Sequence, residues 1–556
     1  MSLRRLFLPA TTVLGLAFLV ACGGSSTHLA VPPPSGGFSN SDLNGTYTFS
    51  VSGEDLAVSG SGNASFLALA GSFTACGCTA GTISAGTVDL FDTTFAGPAL
   101  AINSGGTYSV GADGRGTVSL SIATASGSYP VILDFVLTSD SHGLIIRFDS
   151  NGTGSGSIDQ QPAAVAQTAV ENAPYAFSLS GSDVVSPTPN PLLASGAFTL
   201  DSSGDITTTG ATAGVADFTY KFPATSYQQL ALTGTLAVGS GTAPGTATLT
   251  ATNTSTNTTV FGPLRFDVYT VDATHMKLIE SDGTYVLVGD VFSQPSASIP
   301  QGNLVFTMAG LDSSGAPFGA GGVVASDGSS TFPSGSEDVN DAGTVDGGTN
   351  PPAAAAFTGT FAATPSGSGR FVVSFPGFVG GTTFAAYPTS GGILMQEIDT
   401  TGNAGITGGV MMTQASGAAL AASQGYGMNV TGTDLTSGSE LDAIAQFNTT
   451  SSGITGLIDL NDFGSSSPTS TTNLAGSYTA GSSGTGSASF TSGPLGGVFY
   501  YAAGSSTALI LSTDSTDVAV GAFQEQSTPT AAQADVAARN LAMVKAVRAA
   551  KRLKTK

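Results

Sequence analysis

The sequence predicts an all-β protein made of tandem antiparallel meanders, each closed into a barrel or folded into a sandwich, with a basic C-terminal helix. Three observations predict this class. Apolar residues alternate with Ser, Thr and Gly over short runs, Asp-Gly and Asn-Gly turn signals separate the runs, and one pattern recurs four times. Only 9% of the 556 residues are charged and 76 are Gly, which is typical of short strands joined by tight turns.

The repeat is defined by its two ends. Its opening is an apolar or aromatic pair followed by Gly-x-Asp, found at Tyr47/Phe49/Gly53/Asp55, Tyr175/Phe177/Gly181/Asp183, Leu304/Phe306/Gly310/Asp312 and Tyr426/Met428/Gly432/Asp434. Its closing is a Gly followed five residues later by Gln, found at Gly156/Gln161, Gly289/Gln294, Gly409/Gln414 and Gly521/Gln526. Openings and closings alternate, so we expect four β repeats, at residues 43–161, 172–294, 301–414 and 424–526.

The first repeat contains several alternating runs. They lie at residues 47–51, 65–73, 106–110, 116–122, 131–137 and 144–148. We favour a barrel over a sandwich, because the closing strand can then pair with the opening strand. The recurrent Gly of the opening indicates a bend or a close backbone approach, and the Asp two residues later indicates a turn cap. The up-and-down order faintly resembles avidin- and lipocalin-like barrels, although the chain contains no Trp. The third repeat carries a Gly/Ser/Asp-rich insertion at 326–352, which we expect to be a surface loop.

Residues 1–21 have the parts of an export signal. Arg4 and Arg5 precede an apolar run at 6–20 that is too short for a comfortable membrane span. The end of the run, Leu19-Val20-Ala21-Cys22, resembles the lipobox of bacterial lipoproteins. This resemblance implies that Cys22 is lipidated and that the chain is anchored to a membrane of the cell envelope. The residue after the Cys is not Asp, which favours the outer membrane by analogy with the family. Residues 22–42 then form a Gly/Ser- and Pro-rich tether.

Charge is distributed unevenly along the chain. Six basic residues stand between residues 22 and 526, against all but one of the 37 acidic residues. The four repeats should therefore repel nucleic acid, since phosphate binding needs clustered cations. Seven basic residues occupy the last eighteen positions of the tail, 527–556, which is Ala-rich with apolar residues at helical spacing. Two interpretations of the tail stay open. It is either a basic helix that lies on a membrane surface or on the acidic part of a neighbouring copy, or a frayed terminus.

Acidic and amide residues recur three positions apart at one place in the repeat. The weak calcium candidates are Asp89, Asp92, Asp338, Asp341, Asp459 and Asp462. Oxygen-rich side chains at such spacing can bind Ca²⁺, and carboxylate pairs can perform acid–base catalysis, as in glycoside hydrolysis. The second repeat has only Asp217 there, and no twelve-residue calcium loop follows. A turn at a strand end is therefore the favoured interpretation.

Histidine and cysteine are scarce in this chain. His28 lies in the tether, while His142 and His275 occupy one position of the repeat, where a hairpin turn is favoured over a general base. No His/Cys spacing supports a zinc site. Cys76 and Cys78 are the remaining thiol pair, and a disulfide at a hairpin tip, free thiols and a redox role all stay open.

These features favour a lipid-anchored cell-envelope protein with a non-catalytic structural or adhesion-like binding role. Repeated similar surfaces suit weak multivalent contacts with glycans or partner proteins. We expect no cofactor and no enzymatic activity. Two alternatives stay open, namely barrels that each hold a small hydrophobic ligand, and an envelope hydrolase. The scarcity of His and the dispersal of the acids count against the hydrolase.

Overall fold

β-strands dominate the part of the chain that the structure describes. The structure is a computed structural model, and it describes residues 37–56, 65–125, 127–184, 190–221, 225–346, 355–400, 404–463, 468–493 and 495–526. The short 3₁₀ segments in these ranges are Asn40–Asp42, Gln167–Ala169 and Ser482–Gly484. All described residues belong to one compact body, Pro33–Lys556. Within them, no helix has the length and apolarity that crossing a membrane would take.

The strands form four antiparallel sheets, which we call units 1 to 4. Unit 1 contains β1 (Asn44–Asp55), β2 (Ser65–Cys76), β3 (Ile83–Asp92), β4 (Ala96–Ala101), β5 (Thr107–Val110), β6 (Arg115–Thr124), β7 (Gly127–Leu137), β8 (His142–Asp149) and β9 (Gly152–Gln161). Unit 2 contains β10 (Pro174–Asp183), β11 (Pro191–Thr199), β12 (Val215–Tyr220), β13 (Thr225–Ala237), β14 (Gly245–Asn253), β15 (Thr258–Asp272), β16 (His275–Glu280) and β17 (Tyr285–Ser293).

The last two units follow the same plan. Unit 3 contains β18 (Gly302–Leu311), β19 (Pro317–Ser326), β20 (Thr331–Asp341), β21 (Thr344–Asp346), β22 (Ala355–Ala363), β23 (Phe371–Ser374), β24 (Thr383–Pro388), β25 (Ile393–Glu397) and β26 (Ile406–Thr413). Unit 4 contains β27 (Gly425–Asp434), β28 (Ser439–Thr449), β29 (Gly453–Asp462), β30 (Thr469–Ala480), β31 (Thr485–Ser492), β32 (Gly497–Ala502), β33 (Thr507–Ser512) and β34 (Asp517–Glu525).

The opening strand of each unit pairs with its closing strand, as predicted. The pairs are β1–β9, β10–β17, β18–β26 and β27–β34, all antiparallel. Units 2 and 4 are closed eight-stranded barrels, and unit 3 closes through the pairing of β19 with β20, which leaves β21 at its edge. Unit 1 has β4 and β5 as its edge strands, and isolated bridges join Thr82, just before β3, to Thr107 of β5, and Ile102, just after β4, to Ile122 of β6. The predicted barrel is thus confirmed in units 2, 3 and 4, and unit 1 has the same strand order without a closing ladder.

Alternate residues of each strand fill the interior of its unit. In β27, Tyr426, Met428 and Val430 belong to the apolar core of unit 4, whereas Asn429 between them donates a hydrogen bond to Ile145 O of unit 1 (3.2 Å). A cluster of buried apolar side chains fills each of the four interiors. The barrels are therefore packed with their own side chains, as barrels of eight strands can be.

The recurrent Gly and Asp residues have the local roles that their spacing predicts. A Cβ atom on the opening Gly of units 1 to 3 would lie 1.8–2.0 Å from a backbone carbonyl oxygen of the closing strand. A Cβ atom on the closing Gly of any unit would lie 1.8–2.1 Å from a backbone carbonyl oxygen of the opening strand, so these positions admit no side chain. Three opening Asp residues cap a turn by accepting from a backbone N–H: Asp183 from Asn190, Asp312 from Ala316 and Asp434 from Thr436. In unit 1, Asp55 instead places Oδ2 3.6 Å from Nη1 of Arg147.

The units contact one another in a cycle. The first strands of each unit pack against the last strands of the next: unit 1 on unit 2, unit 2 on unit 3, unit 3 on unit 4, and unit 4 on unit 1. Apolar clusters that span these interfaces include Phe91 with Tyr269, Leu193 with Leu311, Val410 with Leu509, and Ile444 with Val136. Head-to-tail contacts of one kind form a ring when the rotation between neighbours closes. In this protein the four interfaces between units 1, 2, 3 and 4 close such a ring within a single chain.

One expectation from the sequence is wrong, and several others concern residues outside the described ranges. The sequence predicts a surface loop at residues 326–352, but β20 and β21 occupy 331–341 and 344–346. The expectation is wrong because Phe332 and Val339 are buried in the core of unit 3 and tie this Gly- and Ser-rich stretch to the sheet. The export signal, Cys22, most of the tether and the basic tail at 527–556 lie outside the described residues.

Candidate functional site

The closing Gln of every unit donates a hydrogen bond to the next unit. Its Nε2 atom reaches a backbone carbonyl oxygen at the same position of the neighbouring repeat each time. The four bonds are Gln161 to Thr270 (2.7 Å), Gln294 to Pro388 (2.8 Å), Gln414 to Ala502 (3.0 Å) and Gln526 to Leu137 (2.9 Å). The recurrence of this Gln in the sequence therefore reflects contacts between units, and its fourth copy closes the ring.

The first acidic position, for which the sequence favours a turn over a calcium ligand, lies inside a strand in all four units, and not at a turn. It faces the interfaces. Its carboxylate binds the next unit in all four copies: Asp89 accepts from Tyr269 Oη, Asp217 from Tyr387 Oη, Asp338 from Tyr501 Oη (2.8 Å), and Asp459 from Arg115 Nη1 (2.9 Å). Each of these Tyr residues directly precedes the residue whose carbonyl oxygen accepts the hydrogen bond from the closing Gln. In unit 1 Val136 occupies the Tyr position, and Arg115 donates instead.

The second member of each acidic pair is separated from the first. Asp92 ends β3 and caps the turn after it, where its Oδ1 accepts from the Phe95 backbone N–H (2.7 Å) and from Thr94 Oγ1 (2.7 Å). Asp341 ends β20, and Asp462 ends β29. Within the described ranges, no three His, Cys, Asp or Glu side chains are grouped in a way that could hold a metal ion.

Basic side chains cross three of the interfaces. Arg370 Nε binds Asp217 Oδ2 at 2.6 Å, Lys277 Nζ binds Asp159 Oδ2 at 2.7 Å, and Arg115 contributes the contact described above. Lys221 Nζ adds a hydrogen bond to Ala404 O at 3.2 Å. A buried cation is stable only when oxygen atoms replace its lost water. Sequence reasoning missed these roles, although the scarcity of cations in an acidic body was the signal that could have revealed them.

The two His residues of the repeat lie at either end of a buried polar cluster. His142 Nδ1 contacts Asp159 Oδ1 at 2.8 Å, and Lys277 contacts Asp290 at 3.9 Å as well as Asp159. His275 Nε2 contacts Asp290 Oδ1 at 3.1 Å, and its ring stacks on Phe292. His142 Nε2 also contacts Gln524 Oε1 of unit 4 at 3.1 Å. The cluster therefore joins units 1, 2 and 4, and its imidazoles are engaged by structural partners.

Several acidic groups in and near the interfaces have raised pKa values. Burial raises the pKa of Asp89 to about 7, with the charge of Asp267 adding to it. Burial likewise raises the pKa of Glu337 to about 7 and that of Glu397 to about 8. The ionised form of Glu397 is stabilised by hydrogen bonds from the Gly405 N–H (2.7 Å) and from Thr407. These bonds do not fully compensate for the hydration that the carboxylate loses on burial. These carboxyl groups therefore resist ionisation near neutral pH.

Cys76 is the last residue of β2, and Cys78 lies in the loop between β2 and β3. Their Sγ atoms are joined in a disulfide, with the Cα atoms 5.1 Å apart. Both side chains are partly exposed. Cys76 Sγ accepts two backbone hydrogen bonds, from Cys78 at 3.1 Å and from Thr82 at 3.3 Å. The pair is therefore set in a polar loop at the surface of unit 1.

A cavity of about 590 Å³ opens where the segment between units 2 and 3 meets hairpin turns of units 3 and 4. Its wall includes residues 388–393, 411–413 and 503–507 together with Ser296 and Ser298. None of the lining residues carries a charge, and Ser and Thr hydroxyls alternate with Pro, Met, Ile and Ala side chains. Ligand pockets of this size and mixed character bind small molecules or parts of larger ones.

Comparison with known proteins gives no family. No family model matches the chain, and no curated protein matches it in sequence. Among solved structures, a mutant of the vaccine antigen transferrin-binding protein B from Haemophilus parasuis Hp5 is 10% identical with a TM-score of 0.18, covering 91% of this chain and 98% of its own. Intact Ap-TbpB, with N and C lobes, is 8% identical with a TM-score of 0.17, covering 92% and 99%. At TM-scores this low the likeness carries no argument about fold or function.

Proposed function

We propose that the chain is a lipid-anchored protein of the cell envelope whose four units act as one rigid, non-catalytic binding module. Lipidation of Cys22 would hold it at the membrane, with the outer membrane favoured. The part of the expected tether before Ser39 would space the ring from the surface, since Asn40–Asp42 form a 3₁₀ segment that is bound to unit 1. Several buried acyl chains give stable anchoring, since each methylene contributes about 0.8 kcal/mol. The ligands would be glycans or partner proteins.

The single observation that carries the binding role is the repeated contact at all four interfaces. The closing Gln and the acidic position bind the next unit in every copy. The four units are therefore held in fixed positions relative to one another. A rigid body loses little conformational entropy when it binds, which favours affinity. Multivalent binding would then depend on the fixed spacing of the repeated surfaces, and not on flexible linkers between the units.

The uncharged cavity is the place where we expect a ligand. Exposed Ser296, Ser298 and Ser505 offer hydroxyl groups, while buried Met411 and Met412 offer apolar surface. Hydroxyl groups and apolar side chains together suit a neutral, hydroxyl-rich molecule such as a glycan, and the absence of charged lining residues disfavours an ionic ligand. The filled barrel interiors disfavour a small hydrophobic ligand inside each unit.

Binding can be tested with the purified full chain on an array of neutral and charged oligosaccharides. We expect neutral oligosaccharides to bind and Ser505→Trp, which places an indole in the cavity, to abolish the signal. Thr274→Trp is the matched control, because Thr274 is exposed in the corresponding turn of unit 2 and does not line the cavity. Binding that is absent, or that both variants retain, would contradict a glycan site here.

Anchoring is tested separately in cells. Metabolic labelling with a palmitate analogue should mark the wild-type chain and leave Cys22→Ser unmarked. A labelled Cys22→Ser chain, or an unlabelled wild-type chain, would reject lipidation at this residue.

A further inference from the structure

The disulfide loop of unit 1 presents its two sulfur atoms in unequal surroundings. Two backbone N–H groups point at Cys76 Sγ, from Cys78 at 3.1 Å and from Thr82 at 3.3 Å. Cys78 Sγ lies 3.8 Å from the Thr82 hydroxyl. Hydrogen bonds to the charged form of a group stabilise that form. A thiolate at Cys76 would therefore be stabilised more than one at Cys78.

The donors around Cys76 are held by contacts that do not involve the disulfide. The loop closes on itself through Cys76 N to Thr82 O (3.1 Å) and Gly81 N to Cys78 O (2.9 Å). It is also fixed from outside, because the Tyr108 N–H donates to Gly81 O (2.7 Å) and Asn40 Nδ2 donates to Thr79 O (3.0 Å). Opening the sulfur–sulfur bond would leave this backbone, and the two N–H groups, in place.

The sulfur pair is also accessible. Both Cys side chains are partly exposed, and the next residues, Thr79 and Ala80, are exposed at the tip of the loop. Units 2 to 4 contain no Cys, so the fold of the repeat does not depend on this bond. A disulfide that the repeat does not need, at an accessible tip with one stabilised sulfur, has the features of a reactive pair rather than a structural one.

We propose that Cys76 and Cys78 form a thiol–disulfide exchange site that accepts low-molecular-weight thiols. A thiolate RS⁻ attacks Cys78 Sγ, the bond to Cys76 breaks, and Cys76 leaves as a thiolate that receives the two N–H hydrogen bonds. A second thiolate then attacks the sulfur of R in the mixed disulfide, which releases Cys78 as a thiolate. Two thiols are oxidised to RSSR and the pair is reduced to a dithiol. Cys76 is the leaving group because the less basic thiolate leaves faster.

Two single-cysteine variants of the full chain, both carrying Cys22→Ser, test the asymmetry. Cys78→Ser leaves Cys76 alone, and Cys76→Ser leaves Cys78 alone as its matched control. Thiolate formation is followed by absorbance at 240 nm against pH, with circular dichroism to confirm that both variants fold. We expect the midpoint of Cys76 to lie below the usual value of about 8.5 and at least one pH unit below that of Cys78. A Cys76 midpoint equal to or above that of Cys78 would overturn the proposal.

A second measurement uses the wild-type pair and does not depend on the variants. The oxidised chain is incubated with reduced glutathione, quenched with acid and mapped by peptide mass spectrometry. We expect glutathione on Cys78 in at least tenfold excess over Cys76. Glutathione mainly on Cys76, or a disulfide that forms no adduct at all, would overturn the exchange site. The inference is independent of the proposed binding function, because neither readout involves the cavity.

Discussion

At the scale of single residues, the interfaces depend on polar groups that are buried and paired. Tyr387 is fully buried, and its hydroxyl donates to Asp217, which Arg370 also binds through Nε (2.6 Å) and Nη2 (2.8 Å). A buried carboxylate is costly unless hydrogen bonds replace its water. The pair of donors from unit 3 therefore both satisfies Asp217 and fixes unit 2 on unit 3.

Removal of one donor gives a prediction at this scale. Tyr387→Phe should lower the free energy of unfolding by about 1.5–3 kcal/mol, the usual range for a hydrogen bond to a charged group. Tyr227→Phe is the control, because Tyr227 is only half-buried and packs through its ring on Phe261; it should change stability by less than about 0.5 kcal/mol. Urea denaturation measures both, and equal effects would contradict the role of the Tyr387 hydroxyl.

At the scale of elements, the closing strand is shaped by its Gly. In β26, a Cβ on Gly409 would lie 2.0 Å from Thr307 O and 2.8 Å from Met308 Cα on the paired strand β18. The two backbones can approach this closely only where the side chain is missing. The same contact occurs in β9, β17 and β34, which explains why this Gly recurs with the closing Gln.

A substitution at Gly409 should therefore separate the two strands. Gly409→Ala should cost about 1–3 kcal/mol through overpacking. Gly504→Ala is the control, because a Cβ there would meet nothing nearer than 4.0 Å. Thermal or urea unfolding compares the two, and a Gly409→Ala chain as stable as the control would show that β26 and β18 are less closely paired than described.

The sequence predicts the elements well where the alternation is clean and poorly where polar residues face a neighbouring unit. The opening and closing motifs, their pairing and the barrel were predictable, because each depends on contacts within one repeat. β3 was missed in part because Asp89 interrupts its apolar pattern. Asp89 faces Tyr269 of unit 2, and sequence periodicity describes only burial within a sheet. The recurrent Gln was likewise visible, but its partner in another unit was not.

At the scale of the whole molecule, stability should fall as the pH rises through neutrality. Asp89, Glu337 and Glu397 have folded pKa values of about 7, 7 and 8, above their unfolded values of about 4. Below pH 4 both states are protonated. Between pH 4 and 8 the unfolded chain releases these protons first, which favours unfolding. The groups with lowered pKa values, such as Asp434, titrate below this window.

This gives a measurable pH dependence. The urea midpoint should be lower at pH 8 than at pH 5, and Glu397→Gln should reduce the difference because an amide cannot ionise. A midpoint that rises from pH 5 to pH 8 would contradict protonated carboxyl groups at the interfaces.

The closed ring is the central claim, and the interface between units 4 and 1 tests it most directly, because these units are furthest apart in sequence. Ser155 Oγ of unit 1 donates to Asn429 Oδ1 of unit 4 at 2.7 Å. In a chain carrying Ser155→Cys and Asn429→Cys, we expect mild oxidation to join the two new thiols, as peptide mass spectrometry would detect. Ser155→Cys with Thr307→Cys, which pairs unit 1 with unit 3, should give no such link. The ring would be contradicted if the two thiols introduced at positions 155 and 429 stayed free after oxidation. Equal linking in the two double variants would contradict it as well.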